Sequence, residues 1–352
     1  MCLSILGTWS GESGEQWSSA QGIESVLISI QSLMCASPYE NEPGFESPRS
    51  DDDKKNKAHY IQKIRHETLR LAIVQRLEEW LGIHADGRVA KLPTLTPGPE
   101  SSGEVDGDEE PALEHFKDLC KRRFLWYYDS YLNCVDQFEK DVKVGEAFQR
   151  MPFENTSNEM TGEFNYPDLR RRLHLVRRIL DRETDHWAQE GAVEALKDAG
   201  LAENLKRTHQ SLVERYRCNS VVNLDIDLVD RNPFLWQLTY FGRPMTQLDG
   251  GMITIHLCIS PRFPEEQPRV VLKTPLFHHR ISTDGILCYF VRRADDIRSH
   301  VEAIVEALED TDTPYDPRAL VNLAASKLYW GSPEDRKQYN RQLRRAVVRS
   351  TE

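Results

Sequence analysis

The C-terminal third of the chain alternates apolar and polar positions in the way that strands do. In residues 222–228, valine, leucine and isoleucine alternate with asparagine and aspartate, which is the period of a half-buried strand. Short apolar stretches follow at residues 235–241, 252–259 and 269–273, separated by glycine and proline turns. A helical pattern runs from residue 194 to about residue 217, and three more helices end the chain. The pattern therefore predicts an α+β domain with a four-stranded antiparallel meander.

The first 190 residues carry helical periods instead. Residues 23–33 place apolar side chains on one face, which predicts a buried helix. A second helix is predicted over residues 58–81 and ends at Gly82, and residues 112–190 are predicted to be all-helical. The inward positions of the second helix are Ile61, Ile64, Leu69, Ala72, Ile73 and Leu77. Residues 91–111 consist mostly of proline, glycine, serine and acids, which indicates a flexible acidic linker.

Aromatic side chains are frequent in the helical region 112–190. The apolar positions of one predicted helix are Phe116, Leu119, Phe124, Leu125, Tyr128, Leu132 and Val135. A second helix is predicted to start at Asp168, with the apolar positions Leu169, Leu173, Val176, Leu180 and Trp187. Because large apolar side chains are mostly buried in proteins, we interpret these residues as core or packing residues.

The composition is that of a soluble globular protein. With 352 residues the chain is long enough for two domains, and no apolar stretch reaches the ~20 residues of a membrane helix. The first residues do not resemble a signal peptide, since no basic segment precedes the apolar one. The net charge of −11 makes a nucleic-acid partner unexpected. Seven scattered cysteines without CxxC spacing favour reduced thiols in the cytoplasm or nucleus over zinc or disulfides.

Short motifs give the C-terminal region a resemblance to a known family. In chain order they are residues 234–237 (Phe-Leu-Trp-Gln), 250–251 (Gly-Gly), 263–268 (Phe-Pro-Glu-Glu-Gln-Pro), 277–280 (Phe-His-His-Arg), 284–288 (Asp-Gly-Ile-Leu-Cys) and 316–317 (Asp-Pro). Over about residues 200–349 this order resembles the ubiquitin-conjugating (UBC) enzymes. The resemblance implies the family's fold, which has a first helix, a four-stranded meander, a cysteine loop and C-terminal helices.

The resemblance also implies acyl transfer through a cysteine thioester, with Cys288 as the nucleophile. Arg280 lies eight residues before Cys288. At this position the family has an asparagine that donates a hydrogen bond to the oxyanion of the tetrahedral intermediate, or braces the loop that does. An oxyanion donor is worth ~2.7–4 kcal/mol in other enzymes, so the change to arginine matters. Asp316 takes the position of the acid that orients the incoming amine. A helix N-cap before Pro317 is the alternative role for Asp316.

Basic residues surround Cys288 in the sequence. If their side chains point inward, they favour the thiolate and lower the pKa of Cys288. These residues are His278, His279, Arg280, Arg292 and Arg293. We expect His278 to brace its loop. Coupling to ligases is weakened, because no Trp-Ser-Pro-Ala loop follows Cys288 and Glu265 stands where many members expose an apolar contact. The cysteines interpreted as packing residues are Cys35, Cys120, Cys134, Cys218 and Cys258.

The N-terminus resembles the same family from its cysteine onward. The matching segments are residues 2–9 (Cys-Leu-Ser-Ile-Leu-Gly-Thr-Trp), 17–20 (Trp-Ser-Ser-Ala), 26–33 and 41–44 (Asn-Glu-Pro-Gly), which resemble the large, divergent conjugating enzymes. Cys2 is thereby a second candidate nucleophile. The family's sheet and oxyanion segment do not precede it, so we expect little activity there. A truncated product, an incomplete gene model and a surface covered by another part of the molecule are three open explanations.

These expectations divide the chain into four segments. They are the rear half of a UBC-like domain (1–90), the acidic linker (91–111), a helical region (112–193) and a divergent UBC-like domain (194–350). The implied function is to accept ubiquitin or a relative from an activating enzyme as a thioester and to pass it to a lysine or a ligase. No metal or cofactor is expected, since the activating enzyme uses the ATP, and neither a membrane nor a nucleic acid is expected as a partner.

Two alternatives to this function stay open. In one, the C-terminal domain is catalytically degraded and only binds ubiquitin or a ligase. In the other, the chain is a truncated product whose active site is the incomplete N-terminal domain.

Overall fold

The computed structural model describes residues 4–7, 17–47, 50–84, 86–89, 116–197, 200–218, 223–310 and 313–351. The chain divides into two units. The first contains residues 1–73 and 137–169, and the second contains residues 74–136 and 170–352. No helix in the described part of the chain is both long and apolar enough to cross a membrane.

The first unit contains helices α1 (Ile23–Ser32) and α2 (Asp51–Glu67). Ser50 caps α2, because its hydroxyl accepts a hydrogen bond from the Asp53 backbone N–H at 3.0 Å. One hydrophobic cluster of this unit is largely aromatic and contains Tyr39, Tyr60, Met151 and the packed Phe45, Ile64 and Phe153. A buried ion pair lies in the same unit, with Lys63 Nζ 2.5 Å from Glu154 Oε1.

The helix predicted over residues 23–33 forms, but the prediction that it is buried is wrong. No residue of α1 is buried, and the side chains of Ile23 and Leu27 are 80% and 58% exposed. The strands of the described chain all lie in the second unit, so α1 has no sheet in its own unit to pack against. A helix buries its apolar face only against another layer.

The helix predicted over residues 58–81 forms in three parts, which differs from the prediction of one regular helix. After α2, the backbone adopts a π-helix over Thr68–Gln75, and α3 (Arg76–Leu81) follows. A π-helix adds a residue per turn and rotates the following side chains, so Ala72 is exposed although Leu69 and Leu77 are buried. Gly82 ends α3 in the left-handed conformation at φ 63°, as predicted.

Three helices precede the sheet of the second unit: α4 (Lys117–Phe138), α5 (Tyr166–Lys197) and α6 (Gly200–Arg217). The single helix predicted from residue 194 to residue 217 is thus the end of α5 followed by α6. Phe116 precedes α4 and is 67% exposed, so its predicted packing role is wrong. The predicted apolar face of α5 is confirmed, since its buried residues include Leu169, Leu173, Val176, Leu180 and Trp187.

The predicted antiparallel meander is confirmed. Its strands are β1 (Asn223–Leu228), β2 (Leu235–Phe241), β3 (Met252–Cys258) and β4 (Arg269–Leu272), and they lie in the order β1-β2-β3-β4. Trp236 pairs with Leu257 and Leu238 pairs with Ile255 in the antiparallel register. These four side chains are fully buried, so one face of the sheet forms the core.

Helices cover this face of the sheet. They are α6 and, after the cysteine loop, α7 (Ile297–Glu309), α8 (Leu323–Tyr329) and α9 (Pro333–Arg349). Ser332 caps α9, because its hydroxyl accepts a hydrogen bond from the Asp335 N–H. Asp316 also caps, but it caps a three-residue 3-10 turn, Pro317–Ala319, instead of an α-helix. We call α6, the sheet and α7 to α9 the C-terminal domain.

Candidate active site

A tight loop after β4 brings Cys288 beside Arg280. The Cys288 N–H donates to the Arg280 carbonyl at 2.8 Å, so the intervening residues form a closed turn. Gly285 lies in this turn with φ 89°, and a Cβ there would come within 2.5 Å of the Leu272 carbonyl oxygen. Only glycine fits both conditions. The separation of eight residues seen in the sequence therefore corresponds to direct backbone contact.

Cys288 is completely buried. Its side chain has 0% exposure, and Sγ lies 3.7 Å from the carbonyl oxygen of Arg318. The pKa of the Cys288 thiol is raised to about 12, chiefly by burial, while the nearby Arg280 acts to lower it and the carboxylate of Asp316 acts to raise it. The prediction that the basic setting lowers the pKa of Cys288 is wrong in this structure, because the loss of solvent outweighs the positive charges.

The two histidines before Arg280 are buried and supply no positive charge. Burial lowers the pKa of His278 to about 3 and also lowers the pKa of His279. His278 Nδ1 accepts a hydrogen bond from the Arg280 N–H at 3.2 Å. The ring of His279 stacks on Tyr329 with 3.8 Å between centroids. The contact of His278 fits the bracing role predicted for it.

The Arg280 side chain already has a carboxylate partner. Its Nε and Nη2 atoms donate to Asp310 Oδ2 at 2.9 and 2.6 Å. A guanidinium held in this way is not free to serve an oxyanion beside Cys288. Arg292 and Arg293 are exposed, and Arg293 pairs with Asp295. The expectation that these two arginines act on the thiol is therefore wrong.

Asp316 lies on the other side of Cys288 and is bound to Arg318. Its Oδ1 accepts from the Arg318 N–H at 2.9 Å, and its Oδ2 is 2.9 Å from the Arg318 Nη2 atom. Hydrogen bonding by the Arg318 side chain lowers the pKa of Asp316. The capped turn places the Arg318 carbonyl against Cys288 Sγ. The cap role predicted as the alternative for Asp316 is thus present in the structure.

The structure adds residues that the sequence did not single out. Asp310 holds Arg280, and the Arg318 carbonyl receives the thiol of Cys288. Tyr127 comes from α4 and donates its hydroxyl to the same Arg318 carbonyl at 2.7 Å. Burial raises the pKa of Tyr127 to about 12. No sequence signal marked Tyr127, because it lies in a helix whose aromatic residues have the spacing of ordinary packing residues.

The burial of the remaining cysteines agrees only in part with the packing role predicted for them. Cys2 lies outside the residues that the structure describes. Cys35 and Cys218 are exposed, so they are not packing residues. Burial raises the pKa of Cys258 to about 11, which fits a packing role. Among the described residues, no group of three or more histidine, cysteine, aspartate or glutamate side chains could hold a metal ion.

Comparison with known proteins agrees with this geometry. The model of the ubiquitin-conjugating enzyme family matches residues 205–347, which include the four strands, the turn from Arg280 to Cys288 and most of α9. The C-terminal domain is therefore a UBC-fold domain of the ubiquitin-conjugating enzyme family.

Individual relatives carry the same family description. The chain is 39% identical over 184 residues to ubiquitin-conjugating enzyme E2 Z of Homo sapiens, covering 52% of this chain and 40% of that protein. It is 38% identical over 180 residues to E2 Z of Danio rerio, covering 51% and 42%. A probable ubiquitin-conjugating enzyme E2 R521 of Acanthamoeba polyphaga mimivirus is 48% identical over 79 residues, covering 21% and 5%. The chain thus spans about two fifths of the length of the E2 Z proteins that it matches.

Proposed function

We propose that the C-terminal domain acts in ubiquitin conjugation by accepting ubiquitin, or a related modifier, as a thioester on Cys288. The observation that carries this proposal is the backbone contact between Cys288 and Arg280, 2.8 Å from N to O, within a UBC-fold domain. Two further contacts support the proposal. His278 braces Arg280, and the turn that Asp316 caps contacts the sulfur.

The reaction consists of two acyl transfers without any redox change. The sulfur of Cys288 attacks the carbonyl carbon of the thioester that joins the modifier to a cysteine of the activating enzyme. A new C–S bond forms, the old one breaks, and the proton lost by Cys288 ends on the departing cysteine. A neutral lysine amine then attacks the carbonyl carbon of the Cys288 thioester. A C–N bond forms, the C–S bond breaks, and the proton lost by the nitrogen ends on the Cys288 sulfur. The lowered pKa of Asp316 keeps its carboxylate ionised, so the carboxylate can orient that amine and stabilise the positive charge that forms on its nitrogen.

The structure is a closed state with respect to this reaction. A thiol with a pKa of about 12 is protonated at neutral pH, and a nucleophilic cysteine reacts as the thiolate. Charging therefore requires that solvent or the incoming thioester reaches Cys288. Arg280 must also leave Asp310 if its guanidinium is to serve the oxyanion. We place this activity in the cytoplasm or nucleus, where thiols stay reduced.

A second candidate function is a non-catalytic UBC domain that binds ubiquitin or a ligase. Two observations favour it: the complete burial of Cys288 and the use of Arg280 as the partner of Asp310. In this reading Cys288 is a core residue, and its burial contributes only to stability. The third candidate, an active site at Cys2, involves a residue outside the described part of the chain.

A thioester assay separates these functions. The purified full chain is incubated with ubiquitin, an activating enzyme and ATP, and the products are separated on a non-reducing gel. We expect a reductant-sensitive adduct that Cys288→Ala abolishes. Cys288→Ser should form an oxyester adduct that resists reductant. Cys218→Ala is the matched control, since it removes an exposed cysteine of the same unit, and it should keep the adduct. A folded chain that gives no adduct would support the binding function instead, and an adduct lost only in Cys2→Ala would support the N-terminal site.

A further inference from the structure

We propose that helix α4 is a built-in cover of the Cys288 site, held closed by Tyr127 and Asp129. The proposal rests on the proposed function, because it names the regulation of that same cysteine. Release of these two side chains would be the step that makes Cys288 accessible to the incoming modifier.

Tyr127 closes the site from the side of the Asp316-capped turn. Its hydroxyl donates to the Arg318 carbonyl at 2.7 Å, and the Cys288 thiol lies 3.7 Å from the same oxygen. One carbonyl group therefore connects the cysteine to α4. Trp126, the preceding residue of α4, packs edge-on against Phe290 with 5.9 Å between ring centroids. Phe290 is two residues after Cys288, so α4 contacts the chain on both sides of the sulfur.

Asp129 closes the site from the side of the loop that precedes Cys288. Its Oδ2 accepts from the backbone N–H of Thr283 at 3.0 Å and from the Thr283 hydroxyl at 2.8 Å. Thr283 lies within the turn that joins Arg280 to Cys288. Tyr127 and Asp129 thus contact two separate segments that border the cysteine. A modifier that approaches Cys288 between these segments meets α4.

The first turn of α4 adds a third attachment. Asp118 Oδ1 lies 2.6 Å from Arg269 Nη2, and Asp118 Oδ2 accepts from the Gln267 N–H at 3.1 Å. This attachment is at β4 and the loop before it, and β4 is itself bonded to the end of the cysteine turn, where the Leu287 N–H donates to the Val270 carbonyl at 3.1 Å. It holds the start of α4 on the domain while the contacts of Tyr127 and Asp129 open and close.

The contacts that Tyr127 and Asp129 make near Cys288 can break and form again. Among the described residues, the hydrophobic core of the C-terminal domain takes no side chain from α4. Tyr127 and Asp129 are only half-buried, and each of their hydrogen bonds exchanges for a bond to water on opening. Other contacts of α4 are buried: Lys121 Nζ is 2.6 Å from Glu183 Oε1 of α5, and Trp126 is buried where it packs on Phe290. Removal of the two half-buried contacts should therefore leave α4 in place as a helix on α5.

The test measures how fast each cysteine of the full chain reacts with iodoacetamide, with no ubiquitin present, by mass spectrometry of the digested protein. The variant is Tyr127→Phe/Asp129→Ala. We expect alkylation of Cys288 to be faster than in the wild type by roughly tenfold or more, since three hydrogen bonds oppose opening. Exposed Cys218 should react at an unchanged rate, and Cys258 should stay slow, which shows that the domain is folded.

Asp136→Ala is the matched control. Asp136 also lies on α4, but its carboxylate pairs with Arg170 at 2.5 Å and is not in contact with the cysteine turn. This variant should leave the alkylation of Cys288 at the wild-type rate. Thr283→Ala removes the hydroxyl contact from the other side and should accelerate alkylation by a smaller factor, with no further increase once Asp129 is replaced.

The alkylation result and the thioester result are independent. If the double variant leaves the alkylation rate of Cys288 unchanged, or if Asp136→Ala raises it equally, the proposal that α4 covers Cys288 is wrong. Faster alkylation without any adduct from the activating enzyme would support the cover and overturn the proposed thioester function. Faster alkylation together with faster charging would support both.

Discussion

Two regions of this chain resemble the same family and differ in what they can bury. The C-terminal domain has a complete sheet, and the side chains of Trp236, Leu238, Ile255 and Leu257 on its inner face are fully buried. The N-terminal region has the helix α1, whose Ile23 is 80% exposed. Periodic apolar side chains are therefore buried in one region and exposed in the other. A helix contributes to a core only when the layer that it needs is present.

The interiors of the two units differ as well. The first unit encloses a small aromatic cluster together with a buried ion pair between Lys63 and Glu154. The second unit encloses a large apolar core between the sheet and its helices. Breaking a buried charge pair leaves an unpaired charge, whereas truncating an apolar side chain leaves a cavity. The first unit should therefore be destabilised most by loss of a charge, and the second by loss of apolar volume.

The largest effect should come from Lys63→Met. This change leaves Glu154 buried without its cation, and we expect a loss of about 3–5 kcal/mol in the unfolding free energy of the first unit. Urea unfolding followed by hydrogen-exchange mass spectrometry resolves the two units. Lys54→Met is the control, because Lys54 pairs with Asp51 on an exposed surface and should leave stability unchanged. An equal loss in both variants would contradict this account of the first unit.

A matched pair of isoleucines sharpens the comparison of burial. Ile255→Ala on β3 should cost about 2–5 kcal/mol, since it opens a cavity at a fully buried site. Ile23→Ala on α1 should change stability by less than about 0.5 kcal/mol, because Ile23 is exposed and alanine favours helices. The same urea experiment measures both variants. A large cost at Ile23 would show that α1 is covered in solution.

Acid should destabilise the C-terminal domain through its buried histidines. The pKa of His278 is lowered to about 3 in the folded state, against an ordinary value of 6.5. The unfolded chain therefore binds the proton first as pH falls, so stability is complete above pH 6.5 and is lost below it. The loss is about 1.4 kcal/mol per pH unit for one such histidine, or about 2 kcal/mol at pH 5.

Urea midpoints measured between pH 5 and pH 8 test this dependence. His278→Asn keeps an acceptor for the Arg280 N–H but removes the titrating ring, so its pH dependence should be shallower. The burial of His279 also lowers its pKa, so part of the dependence should remain. A slope identical to that of the wild type would rule out His278 as a source.

The smallest effect on stability should come from Asp316→Asn. Asparagine caps as well as aspartate does, so we expect a change below about 0.5 kcal/mol. If the carboxylate orients the incoming amine, transfer of the modifier from Cys288 to free lysine should fall roughly tenfold or more. Single-turnover discharge measures this step separately from charging. An unchanged discharge rate would leave Asp316 with its capping role alone.

The sheet could be predicted closely because both of its signals are local. Alternation marks the buried face of each strand, and glycine and proline mark the turns, so β2 has the predicted bounds and β4 ends one residue early. The π-helix at Thr68–Gln75 could not be predicted in this way. It rotates the faces of a continuous helix without any change in composition.

Only the contacts of the site between residues close in sequence could be predicted. The separation between Arg280 and Cys288 indicated their contact, and Asp316 before Pro317 indicated the cap. The ionisation of the thiol depends on what covers it, and the cover includes Tyr127, which is more than 150 residues away in the chain. The partner of Arg280, Asp310, lies at the end of α7 and belongs to no recognisable motif. Charge along the sequence therefore suggested a lowered pKa for Cys288, whereas burial in the fold raises it.

We propose that Cys288 carries the modifier once α4 releases it. The most direct test is the intact mass of the Tyr127→Phe/Asp129→Ala chain after incubation with ubiquitin, an activating enzyme and ATP without reductant. We predict a gain of one ubiquitin through a bond that thiols reverse, at a faster rate than in the wild type, and no gain when Cys288→Ala is added. No gain in a chain whose Cys288 is alkylated rapidly, or a gain that persists without Cys288, would contradict it.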